Sequence, residues 1–153
     1  MASGQNQVSH IQSVTATEEF DAPAAAVWTL LTDWGGIVDW MPDGYIRSLR
    51  LDGRGIGAIR HLITGKGVQI SERLVGLDEK AGTLELAMVD TLPWGLLSYR
   101  ASAGLVRISD NRCRLTWTGT FETADGGPRS NHIAILLEKS YAKMFLGIRR
   151  ETA

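Results

Sequence analysis

Residues 130–150, SNHIAILLEKSYAKMFLGIRR, decide the fold of this 153-residue chain. Their apolar side chains recur in steps of three and four, which predicts one apolar stripe along an α-helix of about six turns. A helix with one apolar side needs a partner surface of similar length to be stable. The stripe consists of Ile133, Leu136, Leu137, Tyr141, Met144, Phe145 and Ile148.

The segments before this helix have the pattern of antiparallel β-strands. Alternation is clearest near the end, where Cys113, Leu115, Trp117 and Phe121 share one face. Strands with one apolar face need a cover, and the predicted helix is the only segment long enough to supply it. The predicted strands span residues 8–20, 44–52, 57–64, 67–77, 82–90, 96–108 and 112–122.

Two short helices are predicted between the first and second strands. Asp21-Ala22-Pro23 indicates a helix start, because proline is favoured in the first turn. Gly35-Gly36 ends that helix, and residues 37–41 predict one more helical turn. This order of elements is that of the helix-grip fold, an α+β architecture in which a seven-stranded curved antiparallel sheet surrounds a long C-terminal helix. We expect residues 1–7 to be a disordered tail and residues 8–153 to form a single domain.

The composition argues against several classes of function. Lys and Arg number 16 and Asp and Glu number 17, so the chain lacks the basic excess that binds nucleic acid. No apolar run is long enough to span a membrane, and the first residues, MASGQNQ, lack the pattern of a signal peptide. We therefore expect a cytoplasmic protein. His10, His61 and His132 are scattered, which predicts no metal site.

The segment from Gly53 to Ala58 matches the letters of a dinucleotide-binding motif, G-x-G-x-x-A. That motif requires a strand before it and a helix after it, so that the pyrophosphate meets the helix N-terminus. Here a strand is predicted to follow. These glycines are therefore interpreted as turn residues.

Glu72 is the most informative polar residue. Its parity places it with Ile70 and Leu74 on the face toward the helix. A carboxylate in that position must be paired, hydrogen-bonded or shifted to a higher pKa. Two interpretations stay open at this point: an internal salt bridge to Arg60, and a polar anchor or general base in a cavity.

The orientation of Arg60 is also open. Simple alternation sends Ile59, His61 and Ile63 inward and Arg60 outward, whereas a bulge after the glycines would reverse this.

Two aromatic residues on inward faces carry polar groups. Tyr99 is interpreted as a pocket residue because small Ala101 and Ala103 follow it inward, whereas Trp117 is interpreted first as core. The apolar loops around Trp40 and Trp94 suit the rim of a cavity or a protein contact.

Several short motifs occur in a characteristic order: Ala22-Pro23 with Val27-Trp28, Trp40-Met41-Pro42, Gly57-Ala58-Ile59-Arg60, and Glu72-Arg73-Leu74 followed by Leu77-Asp78. Over about residues 8–150 the chain resembles the polyketide cyclase/dehydrase and lipid-transport family. This family belongs to the superfamily of steroidogenic-acute-regulatory-related lipid-transfer domains, birch allergens and plant abscisic-acid receptors.

The resemblance implies an internal apolar cavity between the sheet and the C-terminal helix. It also favours the inward placement of Arg60, and it implies gate loops at residues 64–68 and 92–96. The chain departs from the receptors at Ile46, which stands where they carry a ligand-binding lysine, so hormone sensing is not implied. Cavity positions of receptor-like members fall here on Arg60, Leu62, Glu72, Tyr99, Ala101 and Trp117.

We therefore expect a cofactor-free enzyme that binds a hydrophobic or aromatic small molecule and catalyses cyclisation or dehydration. Arg60 would stabilise an enolate, Glu72 would act as base and Tyr99 as acid or hydrogen-bond donor. The alternative is a carrier of a lipid or another apolar metabolite; a monomer and a homodimer are both open. The expected ligand-binding residues are Trp40, Tyr45, His61, Leu62, Ile70, Met88, Trp94, Leu96, Ala101, Trp117, Leu137, Tyr141, Met144 and Phe145.

Overall fold

The computed structural model describes residues 10–125 and 127–153. The predicted tail at residues 1–7 and the first two residues of the first predicted strand lie outside the described residues. Ten elements follow one another in the described part of the chain: β1 (His10–Phe20), α1 (Ala24–Thr32), α2 (Ile37–Trp40), β2 (Ile46–Asp52), β3 (Ile59–Thr64), β4 (Gln69–Asp78), β5 (Thr83–Val89), β6 (Leu96–Ser109), β7 (Arg112–Thr123) and α3 (Pro128–Glu151).

The seven strands form one curved sheet in the order β1-β7-β6-β5-β4-β3-β2, and every neighbouring pair is antiparallel. β1, the first strand in sequence, pairs with the last one, so the chain crosses from one edge of the sheet to the other after β1. α1 and α2 lie within that crossover. The predicted helix-grip fold is confirmed in its strand number, strand direction and helix order.

α3 packs its apolar stripe against the sheet. Six of the seven predicted stripe residues are buried, and only Leu136 is half-buried. Phe145 of α3 meets Phe20 at the end of β1 in an edge-to-face contact, with ring centroids 6.1 Å apart. Such pairs add to the free energy of apolar burial. No helix in the described part of the chain is long and apolar enough to cross a membrane.

The glycine-rich segment after β2 forms a turn. Gly53, Gly55 and Gly57 all have positive φ, and β3 follows directly. The interpretation of these glycines as turn residues is confirmed, because the helix that a dinucleotide-binding motif needs is replaced by a strand.

Charged side chains connect β1 to its neighbours on the surface. Glu19 of β1 accepts hydrogen bonds from Arg112 and Arg114 of β7, and these two guanidinium groups lower the pKa of the Glu19 carboxyl below its usual range. The neighbouring Glu18 pairs with Arg149 of α3. The edge strand is therefore tied by charge to both the sheet and the long helix.

A close contact joins α2 to the C-terminal half of α3. Gly147 lies against the backbone carbonyl of Trp40, and a Cβ atom at Gly147 would overlap that oxygen. Alanine normally stabilises a helix interior relative to glycine by about 1 kcal/mol. At this position the contact with α2 outweighs the helix propensity.

We predict that Gly147→Ala destabilises the protein by about 1–3 kcal/mol, the usual cost of overpacking a tight contact. The free energy of unfolding in urea measures the effect. Lys143→Ala, at an exposed position of the same helix, is the matched control and should change stability little. A stabilised Gly147→Ala variant would contradict the contact.

Candidate functional site

β3 presents Arg60 to the interior of the molecule. Arg60 and Leu62 are buried, whereas Ile59, His61 and Ile63 are half-buried on the other face. The alternation that sends Ile59, His61 and Ile63 inward is therefore wrong. The pairing of β3 with β4 is regular over residues 59–63. Just before it, Gly57 and Ala58 both bond to Leu74, and this is the bulge after the glycines that turns Arg60 inward.

The turn before β3 determines which side chains of that strand face inward. The backbone of Gly57 donates to the carbonyl of Leu74, and the N–H of Leu74 donates in return to the carbonyl of Ala58. Ala58 is thereby fixed as a buried residue, and the period of two then buries Arg60 and Leu62.

Arg60 and Glu72 stand directly opposite each other on β3 and β4 and form an ion pair. The Arg60 Nε donates to Glu72 Oε1 at 2.8 Å, and the two side chains are only 5% and 13% exposed. Buried charges need such a partner to stay ionised. The internal salt bridge inferred from the sequence is present.

Trp34, in the connection between α1 and α2, closes over this pair. The guanidinium of Arg60 lies 3.6 Å from the centroid of the Trp34 ring, and its Nη1 donates to the Trp34 carbonyl at 3.5 Å. The indole N–H of Trp34 donates in turn to the backbone carbonyl of Glu72 at 3.3 Å. A cation over an indole face is attracted by the ring quadrupole, so Trp34 holds the arginine in place. Sequence reasoning did not assign Trp34 to the site.

Two polar atoms of the ion pair remain available for hydrogen bonds to a further partner. Glu72 bonds to Arg60 through one carboxylate oxygen, and Oε2 makes no hydrogen bond within residues 10–125 and 127–153. Arg60 Nη2 likewise makes none within those residues. The ion pair thus keeps one carboxylate oxygen and one guanidinium nitrogen without a hydrogen-bond partner among these residues.

A second polar contact joins the sheet to α3. The hydroxyls of Tyr99 on β6 and Tyr141 on α3 lie 2.7 Å apart, within hydrogen-bonding distance. Burial raises the pKa of Tyr99 well above its usual value and that of Tyr141 to about 12; the carboxylate of Glu72 adds to both shifts. Both phenols therefore hold their protons at neutral pH. Tyr141 was predicted as a ligand-binding residue, but no sequence pattern indicated its hydroxyl partner.

Trp117 and Gly119 of β7 complete this second cluster. The Trp117 ring is tilted against that of Tyr141, with centroids 6.2 Å apart. Its indole N–H is buried, and it makes no hydrogen bond in the described part of the chain. Gly119 lies so close to the phenols that a Cβ atom there would overlap the Tyr141 hydroxyl oxygen. The absence of a side chain at residue 119 lets the helix tyrosine reach the sheet.

The remaining predicted ligand-binding residues fall into two groups by burial. Tyr45, Met88 and Trp94 are partly buried and pack against the core. The buried ones are Trp40, Leu62, Ile70, Leu96, Ala101, Leu137, Met144 and Phe145.

His61 does not join these residues. It lies on the opposite face of β3, where its Nδ1 is 2.7 Å from the Ser71 hydroxyl and its Nε2 is 4.0 Å from a carboxylate oxygen of Asp52. Of the two orientations left open by the sequence, the structure has the one in which Arg60 faces inward and His61 outward, so His61 lies apart from the other residues expected to bind the ligand.

The two predicted gate loops differ in their backbone. Residues 64–68 form a tight hairpin turn in which the Val68 N–H donates to the Thr64 hydroxyl. In the other loop Trp94 has a φ of 60°, an uncommon value for a residue with a side chain. Arg129 of α3 donates to the Trp94 carbonyl at 3.4 Å, which links this loop to the start of the long helix.

Two concavities of the protein surface lie away from this site. One, of about 540 Å³, is on the face of the sheet turned away from α3 and is lined in part by Glu85, Ser102 and Thr118. The other, of about 360 Å³, lies between α1 and the turn at residues 79–82. Since neither opens between the sheet and α3, the predicted internal cavity stays a prediction.

The fold and the buried polar groups on its concave face define a helix-grip protein with a polar site inside an apolar interior. The family model described as polyketide cyclase/dehydrase and lipid transport matches residues 12–151, and the chain belongs to this family. A search among curated proteins finds no significant match.

Solved structures share the fold at low sequence identity. The Zhui aromatase/cyclase from Streptomyces sp. R1128 is 19% identical, with a TM-score of 0.81 and 94% of each chain covered. Norcoclaurine synthase from Thalictrum flavum, in complex with dopamine and hydroxybenzaldehyde, is 20% identical with a TM-score of 0.77, covering 98% of this chain and 91% of that one. An uncharacterised protein from Bacillus thuringiensis is 22% identical with a TM-score of 0.77, covering 91% and 97%.

We predict that removing either partner of the buried ion pair is costly. Arg60→Met or Glu72→Leu should each destabilise the protein by about 3 kcal/mol, because the other charge stays buried and unpaired. The double variant should lose less than the sum of the single changes, as measured by urea unfolding. Arg107→Met, which breaks the exposed pair with Asp110, is the matched control and should cost under about 1 kcal/mol. Additive single and double effects would contradict the coupling.

We predict that the phenol pair makes stability fall in alkali. Between about pH 10, where an unfolded tyrosine ionises, and the raised pKa values of Tyr99 and Tyr141, the folded state keeps protons that the unfolded state loses. Stability therefore decreases as pH rises through this range. Phenolate absorbance in an alkaline titration should show Tyr99 and Tyr141 ionising late, with Tyr45→Phe identifying the third tyrosine's signal. Simultaneous ionisation of all three phenols near pH 10 in folded protein would contradict this.

Proposed function

We propose that this protein binds a hydrophobic or aromatic small molecule between the sheet and α3 and acts on it as a cofactor-independent cyclase or dehydratase. The observation that carries this proposal is the Arg60–Glu72 ion pair, held at 2.8 Å on the concave face of an otherwise apolar interior. Structural stability alone seldom requires a buried ion pair, because apolar side chains of similar size often serve as well.

The residual exposure of three inward-facing side chains supports space for a ligand between the sheet and α3. Leu62, Trp117 and Leu137 keep 5–7% of their surface accessible, whereas Phe121 and Ile148 are fully sealed. Side chains that border an internal space keep a little accessible surface, and close-packed ones keep none.

The polar groups suit proton transfer at a carbon next to a carbonyl. Glu72 Oε2 would accept the proton, and the guanidinium of Arg60 would stabilise the resulting enolate. Attack of the enolate carbon on a second carbonyl of the same molecule closes a ring. The Tyr99 hydroxyl would give its proton to the new alkoxide. The proton held by Glu72 would then leave with that hydroxyl group as water, and the Tyr99 phenolate would take the remaining hydrogen of the neighbouring carbon, which forms the double bond and restores both side chains. The aromatase/cyclase and norcoclaurine synthase among the similar structures support an aromatic or polyketide-like substrate.

A carrier function is the second candidate, and a specific observation favours it. The carboxylate of Glu72 is already held by Arg60 in a hydrogen-bonded ion pair, which is a structural role that requires no reaction. The same polar groups would then orient a ligand without changing it. In that case an apolar metabolite leaves the protein as it entered.

Two measurements separate the candidates. Native mass spectrometry of freshly purified protein shows whether an unaltered small molecule co-purifies, which the carrier function predicts. For the enzyme, we predict that Glu72→Gln lowers turnover of a synthetic poly-β-ketone at least about a hundredfold, the usual contribution of a general base. Glu85→Gln, at an exposed position of β5, is the matched control. Unchanged turnover in a folded Glu72→Gln variant would refute the role of Glu72.

A further inference from the structure

Trp117 carries a buried hydrogen-bond donor without an acceptor. Its side chain is only 6% exposed, and its indole N–H makes no hydrogen bond among the described residues. Leaving such a donor unpaired costs free energy, so buried donors are nearly always satisfied by protein, water or ligand. The indole N–H of Trp117 is therefore available to donate a hydrogen bond to an acceptor from outside the described residues.

The phenols beside Trp117 add a second unused donor. Tyr99 and Tyr141 share one hydrogen bond, in which one hydroxyl donates to the other. Whichever hydroxyl donates, the hydrogen of its partner has no acceptor in the described residues. The Trp117 N–H lies near enough to both phenol oxygens to favour their ionised forms slightly, although it does not reach hydrogen-bonding geometry with either. Two donors are therefore left over in one small region.

The negative charge near these donors determines which kind of acceptor on a ligand would bind to them. The carboxylate of Glu72 acts on both phenols and favours their neutral forms. The same negative charge disfavours a carboxylate on the ligand. A neutral oxygen that only accepts hydrogen bonds, such as a ketone or aldehyde oxygen, fits two neutral donors better.

Small residues border the donors on the sheet. Gly119 stands opposite Ala101, and Trp117 stands opposite Ala103 on the neighbouring strand. Gly119, Ala101 and Ala103 carry no side chain larger than a methyl group. The Tyr141 hydroxyl occupies the space beside Gly119, so a ligand oxygen would approach the indole N–H over the short side chains of Ala101 and Ala103.

We propose that the Trp117 indole N–H and the Tyr99–Tyr141 hydroxyl pair form a donor pocket that binds a neutral carbonyl oxygen of the ligand, with Trp117 as the residue that determines this specificity. The inference rests on the proposed function, since it requires a ligand between the sheet and α3. It adds a second polar anchor, separate from the Arg60–Glu72 pair, and so fixes which end of the ligand points toward Trp117.

Matched aromatic probes test this pocket. Methyl naphthyl ketone carries the carbonyl, ethylnaphthalene has nearly the same shape without it, and naphthoate carries a carboxylate instead. Isothermal titration should show the ketone binding roughly five- to tenfold more tightly than the hydrocarbon, the size of one net hydrogen bond. Naphthoate should bind less tightly than the ketone. In Trp117→Phe the preference for the ketone should disappear while the hydrocarbon still binds.

Heteronuclear NMR of the unaltered protein gives a second reading that needs no variant to fold. The indole N–H resonance of Trp117, identified by its absence in Trp117→Phe, should move downfield with the ketone and stay in place with the hydrocarbon. Trp28→Phe, in a half-buried tryptophan of α1 outside the pocket, is the matched control and should keep the ketone preference.

The outcomes separate the two proposals. Equal binding of ketone and hydrocarbon, or a ketone preference that survives in Trp117→Phe, would overturn the donor pocket and leave the ligand-binding function standing. Failure of all three probes to bind would overturn the ligand-binding function, and the donor pocket with it.

Discussion

The burial of one ion pair is the constraint on which much of this structure depends. A guanidinium and a carboxylate can stay charged inside an apolar interior only if they hold each other, and Arg60 and Glu72 do so from directly opposite positions on β3 and β4. Their pairing fixes the register of those strands, because a slip of either strand by one residue would send its charge to the other face and leave the other charge unpaired. Trp34 stacks on the arginine and thereby ties the α1–α2 connection to the sheet.

A second polar contact, between the hydroxyls of Tyr99 and Tyr141, also connects two parts of the structure. Tyr99 and Tyr141 join the sheet to the long helix, whereas Arg60 and Glu72 join two strands. The two contacts are not independent, since the charge of Glu72 acts on both phenols. Polar groups in this interior therefore form one electrostatic unit inside an apolar shell. That arrangement is suited to holding a mostly apolar molecule in one orientation.

Much of the architecture follows from periodicity in the sequence. The stripe along α3 and the alternation in β7 depend on local spacing, so they were predicted, as was the inward position of Glu72. Which side chains of β3 face inward depends on hydrogen bonds between the glycine turn and Leu74, which local spacing does not encode. For this reason the sequence alone left open whether Arg60 or His61 faces inward. The hydroxyl contact of Tyr141 depends on how α3 is rotated over the sheet, and a single sequence does not specify this rotation. The open indole N–H of Trp117 is a property of three-dimensional packing alone.

Gly119 has a consequence for how this protein can change over generations. Because the Tyr141 hydroxyl rests on its backbone, almost any mutation at residue 119 would separate the helix tyrosine from the sheet. The residue type in this strand is thus set by a helix that follows it in the chain, so a change at residue 119 would have to be accompanied by a change at residue 141.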